Sequence, residues 1–113
     1  MSTIALVTYR DLPQLTREDQ LVCSFLQTLG VETQAVVWDA PDVAWDSYQA
    51  VVVRSCWDYH LHPRRFIRWL RSLEQLQVPL WNPIPILQWN LHKTYLRDLQ
   101  AQGVAIPPTC WLK

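Results

Sequence analysis

Glycine is nearly absent from this chain, with Gly30 and Gly103 its two examples in 113 residues. No Gly-x-Gly-x-x-Gly, Walker loop or nucleophile elbow occurs, which disfavours a dinucleotide fold with its own phosphate loop. Charge is scarce too. Charged residues make up 18%, and 10 Lys plus Arg balance 10 Asp plus Glu. That balance argues against a protein held to nucleic acid or to a membrane surface by bulk charge. Cys23, Cys56 and Cys110 are odd in number, widely spaced and without a Cys-x-x-Cys pair. A disulfide scaffold or zinc site is therefore not expected, each cysteine reads as a small hydrophobe, and a reducing cytoplasm fits best. No apolar run approaches the roughly 20 residues of a membrane-spanning helix. Met1-Ser2-Thr3-Ile4 lacks the basic flank and cleavage site of a secretory signal.

Apolar residues, by contrast, make up 50% of the sequence, which marks a globular chain of one ordinary domain's size. Seven tryptophans are spread along it without an internal repeat. A domain this small does not comfortably bury seven, and some are expected to face a partner.

Ile4 to Val7 is a short apolar strand ending in polar Thr8-Tyr9-Arg10-Asp11. After a turn through Pro13, Thr16 caps a helix with Glu18 and Asp19 in its first turn, and Gly30 stops it. Leu21, Val22, Phe25, Leu26 and Leu29 supply its apolar stripe at helical spacing. Thr33 to Trp38 reads as a second strand, and Ala50 to Val53 as a third, apolar on consecutive positions as in a sheet covered on both faces. Pro63 opens a second helix with Phe66, Trp69, Leu70, Leu73 and Leu76 on one side, and Val78 to Trp81 is a short fourth strand. The order strand–helix–strand–strand–helix–strand predicts an α/β fold, a Rossmann-like open parallel sheet with helices on both faces. From residue 82 the character changes. Pro83 and Pro85 interrupt the chain, Asn90 caps a last helix carrying Tyr95, Leu96 and Leu99, and Gly103 stops it. Val104 to Ile106 and Thr109 to Leu112 read as strand pieces.

Open parallel sheets bind ligands beyond the carboxyl ends of their strands. Arg10 and Asp11 lie there after the first strand, and Arg54, Ser55, Trp57, Asp58 and Tyr59 after the third. Arg54 offers a planar fork for a carboxylate or phosphate, Asp58 a partner for that fork or for a substrate amine, Ser55 and Tyr59 hydroxyls, and Trp57 an apolar wall. Two readings stand side by side: a substrate site, or an Arg54–Asp58 pair that merely caps the loop. His60 and His62 have no third ligand at a suggestive spacing and read as solvated loop residues. Arg64, Arg65, Arg68 and Arg71 form a basic stripe opposite the apolar side of their helix, a solvated face rather than an RNA-binding one at zero net charge.

The string Arg54-Ser55-Cys56-Trp57-Asp58-Tyr59 resembles a segment of ATP-grasp ligases related to prokaryotic glutathione synthetase and the cycloserine-forming ligase. Trp81-Asn82-Pro83, Trp89 to Leu96, and Gly103 to Thr109 are similar to later motifs of that family, and Thr8 to Pro13 to its N-terminal loop. The resemblance implies a pre-ATP-grasp substrate domain in residues 1–81, and in residues 82–113 a linker with the first helix and strand of a truncated central domain. It implies an enzyme that activates a carboxylate with ATP and Mg2+ to an acyl phosphate, which an amine then attacks. Lys93 matches the lysine that reaches nucleotide phosphate. The second lysine, the glycine-containing phosphate loop, the adenine hinge and the magnesium acids would lie beyond Lys113. The chain is therefore expected to be inactive alone and to bind neither cofactor tightly. Its expected partners are a small-molecule acid or amine and the missing C-terminal ATP-grasp domain, with no nucleic acid and no membrane. Self-association is expected through Ile106, Trp89, Trp111 and Leu112. The alternative is a stand-alone binding or interaction module that kept the fold without the chemistry.

Overall fold

A computed structural model describes residues 3–111. Four strands, β1 (Thr3–Thr8), β2 (Glu32–Val37), β3 (Ala50–Ser55) and β4 (Leu80–Trp81), form one sheet in the order β2-β1-β3-β4. Every pairing is parallel. Helix α1 (Arg17–Thr28) joins β1 to β2, and α2 (Pro63–Gln75) joins β3 to β4. The expected α/β open parallel sheet is what the chain forms.

Local chemistry sets the helix ends. Thr16 is extended, and its side chain accepts the backbone N–H of Asp19 at 3.0 Å, satisfying one of the donors a helix start leaves unpaired. Gly30 adopts φ +81°, the left-handed conformation that glycine tolerates best at a helix end. Pro63 starts α2, where its missing N–H costs nothing.

The core lies on the α2 side. Ala5, Val7, Val51 and Val53 of the inner strands pack with Phe66, Trp69, Leu70 and Leu73 of α2 and with Trp38 and Trp45. The rings interlock, Trp38 edge-on to Phe66 at 5.2 Å and Trp45 edge-on to Trp69 at 5.3 Å. Among the described residues, the Trp69 indole N–H is the one buried side-chain polar atom without a hydrogen-bond partner. Of the stripe foreseen for α2, only Leu76, at the helix end, stays exposed.

The α1 side differs from expectation. Leu21, Val22, Phe25 and Leu29 are exposed. Cys23 and Leu26 are half-buried, and Asp19 is the fully buried residue of the helix. The inward seam therefore runs Asp19-Cys23-Leu26, sharing Leu26 with the apolar stripe but lying about a third of a turn from its exposed members.

After β4 the sequence reading also needs correction. The sequence predicts one last helix capped by Asn90, but two short ones form: α3 (Ile84–Asn90), which Asn90 ends, and α4 (Tyr95–Ala101), preceded by Thr94. Pro83 and Pro85 begin α3 instead of interrupting the chain, because the first turn of a helix needs neither N–H. Residues 104–111 form no strand, and Leu112 lies outside the described residues. Trp89 stays exposed, its indole donating to Asp98 at 2.6 Å, and the Arg97 guanidinium covers the Trp111 ring at 4.2 Å.

Candidate ligand site at the carboxyl edge of the sheet

The polar segments after β1 and β3 meet, as the topology requires. Tyr9 and Trp57 touch with centroids 5.9 Å apart. The β1 turn is tied down by Thr8 Oγ1 donating to the Leu12 carbonyl at 2.8 Å. Arg10 and Asp11 stand exposed on that turn, outside the two cavities described below.

A bulge decides what Arg54 and Ser55 do. Val7 pairs with Val53 but Thr8 with Ser55, so Arg54 is an extra residue in β3, and both side chains can turn to the α1 face. There the Arg54 fork grips Asp19, through Nε at 3.1 Å and Nη2 at 2.8 Å, and Ser55 Oγ donates to the same carboxylate at 3.4 Å. Asp19 is only 2% exposed. The foreseen Arg54–Asp58 pair does not form, because Asp58 turns the other way. It is buried and accepts the Trp38 indole N–H at 2.9 Å. Arg54, Ser55 and Asp58 thus join the first helix and the aromatic core to the third strand. Between them, Cys56 is buried, and that burial, reinforced by Asp58 and Asp39, pushes its thiol well above the ordinary range. It is a neutral packing group, with its S–H toward the Thr8 carbonyl at 3.8 Å.

Trp57 and Tyr59 behave differently. Trp57 is 54% exposed, and with Tyr59 and Leu91 it forms a wall shared by two adjoining cavities. The smaller, about 130 Å³, is chiefly apolar and reaches down to Val53, Phe66 and Leu87, and Arg54 also lines it while holding Asp19. The larger, about 580 Å³, is completed by His60, His92 and Lys93. The structure therefore brings Lys93 to Trp57 and Tyr59, although more than thirty residues separate them in sequence. Lys93 is exposed in the link between α3 and α4, its ammonium 5.6 Å from the Tyr95 ring centre.

Residue-by-residue reading missed Leu87, Leu91 and His92, because the helix that carries or precedes them was not foreseen. The available signal was the proline pair, a helix-start pattern that was read as a break. As for the cofactors, Lys93 and His92 are donors suited to phosphate oxygens. Among the described residues no group of three or more His, Cys, Asp or Glu is gathered that could hold a metal ion. No helix among them is long and apolar enough to cross a membrane.

Comparison with known proteins places this geometry in context. Residues 4–82 match the profile described as the N-terminal domain of D-cycloserine synthetase DcsG. The cycloserine biosynthesis protein DcsG of Streptomyces lavendulae is 32% identical over 83 residues, which are 74% of this chain and 27% of that protein. The crystal structure of D-cycloserine synthetase DcsG superposes with a TM-score of 0.84 at 28% identity, covering 95% of this chain and 36% of the other. The chain thus spans roughly a third or less of the relatives it matches.

Proposed function

The chain belongs to the family of the DcsG N-terminal domain, and from that premise we propose that it is the substrate-binding front of an ATP-dependent carboxylate–amine ligase, not catalytic alone. In this reading residues 1–81 are the substrate domain, and residues 82–113 link it to the nucleotide-binding part. A complete ligase would use ATP and Mg2+ to convert a carboxylate to an acyl phosphate, whose carbonyl carbon an amine then attacks with release of phosphate. The observation that carries the reading is the shared cavity: the segment after β3, through Trp57 and Tyr59, and Lys93 line the same space. Trp57 and Tyr59 supply flat apolar walls for the substrate body, and Lys93 a mobile point charge for a phosphate oxygen. Phosphoryl transfer needs several cations and a metal around the moving group, and one lysine cannot supply them.

Two measurements test the proposal. The purified chain, given ATP, Mg2+ and candidate amino acids, should release no phosphate above background. Turnover that follows the chain through purification would remove the idea that it is a ligase portion. In a longer protein carrying this region, Lys93→Met should raise the KM for ATP well beyond that for the amine, with little change in Tm. Unchanged ATP dependence would reduce Lys93 to a surface residue.

A further inference from the structure

The two adjoining cavities differ in character, and the difference specifies a ligand. The larger is edged by His60, His92 and Lys93, and none of the described residues lining it is acidic. N–H donors on one side of a space whose other wall is Trp57, Tyr59 and Leu91, with no carboxylate among the lining residues, suit an anion that carries an apolar body. His92 carries the more specific information. Its Nδ1 accepts the backbone N–H of Thr94 at 3.3 Å. That bond holds the ring as the tautomer whose Nε2 bears the proton, so His92 offers a donor even when uncharged. His60, stacked edge-on to Tyr59 at 5.9 Å, adds a second imidazole on the opposite segment. The smaller cavity, reached past the shared Trp57–Tyr59–Leu91 wall, is about 130 Å³ and chiefly apolar. Its size is close to the ~150 Å³ of a core cavity that accepts benzene.

We infer that the paired cavities bind a small amphipathic organic anion, with one ring-sized apolar group against Val53, Phe66 and Leu87 and its carboxylate or phosphate held by Lys93, His92 and His60. This deepens the proposed function by naming the ligand class of the same site, and it gives His60 and His92 a role as anion donors. The shared chemistry is an oxyanion on a compact apolar body.

The test uses the 113-residue chain with four probes that share one phenyl ring and differ in the polar group: phenylacetate, phenyl phosphate, benzyl alcohol and benzylamine. Binding is read by calorimetry and by amide chemical shifts. At least one anion should bind with a Kd on the order of 0.1–1 mM and benzylamine at least about tenfold more weakly. The preferred anion identifies the source as a carboxylic acid or a phosphate ester. Lys93→Met and His92→Leu should each weaken the anion about three- to tenfold, leaving benzyl alcohol unchanged as the check that the cavity is intact. His92→Gln, which restores an N–H donor, should recover part of the loss. Equal binding of benzylamine and the anions, no binding of any probe, or indifference to both substitutions would overturn the inference. The ligase reading fails separately. Anion binding with no ATP turnover in the longer protein would sink that reading alone, and ATP turnover with no probe bound here would sink only this one.

Discussion

Helices α1 and α2 cover opposite faces of one sheet and make the same kind of parallel crossover, yet they are attached by different physics. On α2, Phe66 is 2% exposed, and Trp69, Leu70 and Leu73 are buried beside it. On α1, Phe25 is 64% exposed, and the fully buried contact is a carboxylate. One helix is held by removing apolar surface from water, at about 25 cal/mol per Å². The other is held by a capping threonine and by the grip of Arg54 and Ser55 on Asp19. Apolar attachment is broad and tolerant of sliding, whereas the ion-pair attachment is a single directional point. The pattern teaches that a repeated strand–helix unit need not repeat its energetics.

The largest effect that would sharpen this contrast is at the paired phenylalanines. Phe66→Ala should cost about 3–5 kcal/mol in urea unfolding, the range for emptying a packed aromatic site. Phe25→Ala should stay within about 0.5 kcal/mol, as at other exposed positions. A loss of more than 2 kcal/mol at Phe25 would show that the exposed stripe of α1 is covered in solution, and the comparison would break.

Next comes the point attachment. Arg54→Ala leaves the buried Asp19 carboxylate without its main partner and should cost about 1.5–3 kcal/mol, since hydrogen bonds to a charged group are at stake. Amide exchange should quicken in α1 before α2. If Tm holds in the Arg54→Ala protein, the fork is not what fastens α1. Thr16→Ala, removing the cap that accepts from Asp19, should cost about 1 kcal/mol, again with exchange rising first in α1. A loss spread evenly over both helices would contradict a local anchor.

The smallest effect concerns Cys56. Its folded thiol titrates above the ordinary value of 9.0, so the folded state keeps its proton where the unfolded chain loses it. Stability is therefore unaffected below about pH 9 and falls as pH rises beyond it. Cys56→Val should flatten part of that alkaline decline in Tm. At pH 8 a disulfide reagent should modify exposed Cys110 quickly, and Cys56 only at the rate of unfolding. Fast modification of both would mean that the β3 end opens readily.

The sequence by itself determined what short-range chemistry can encode. The four strands, the start of α1 at Thr16, its stop at Gly30 and the start of α2 at Pro63 follow from periodicity, capping and φ preference, all acting within a few residues. The pairing of the segments after β1 and β3 followed as well, because parallel topology puts their carboxyl ends together. Three matters waited for the tertiary structure. The side of α1 that turns inward was one, since Asp19, Cys23 and Leu26 carry no more helical signal than the apolar stripe beside them, and Asp19 acquires its partner only from Arg54, 35 residues away. A bulge that no local pattern announces aimed Arg54 and Ser55 toward α1, while Asp58 went to Trp38. The link between α3 and α4 then carried His92 and Lys93 to the wall built by Trp57 and Tyr59. In each case the deciding contact joins residues distant in sequence, and a window of local propensity contains no information about it.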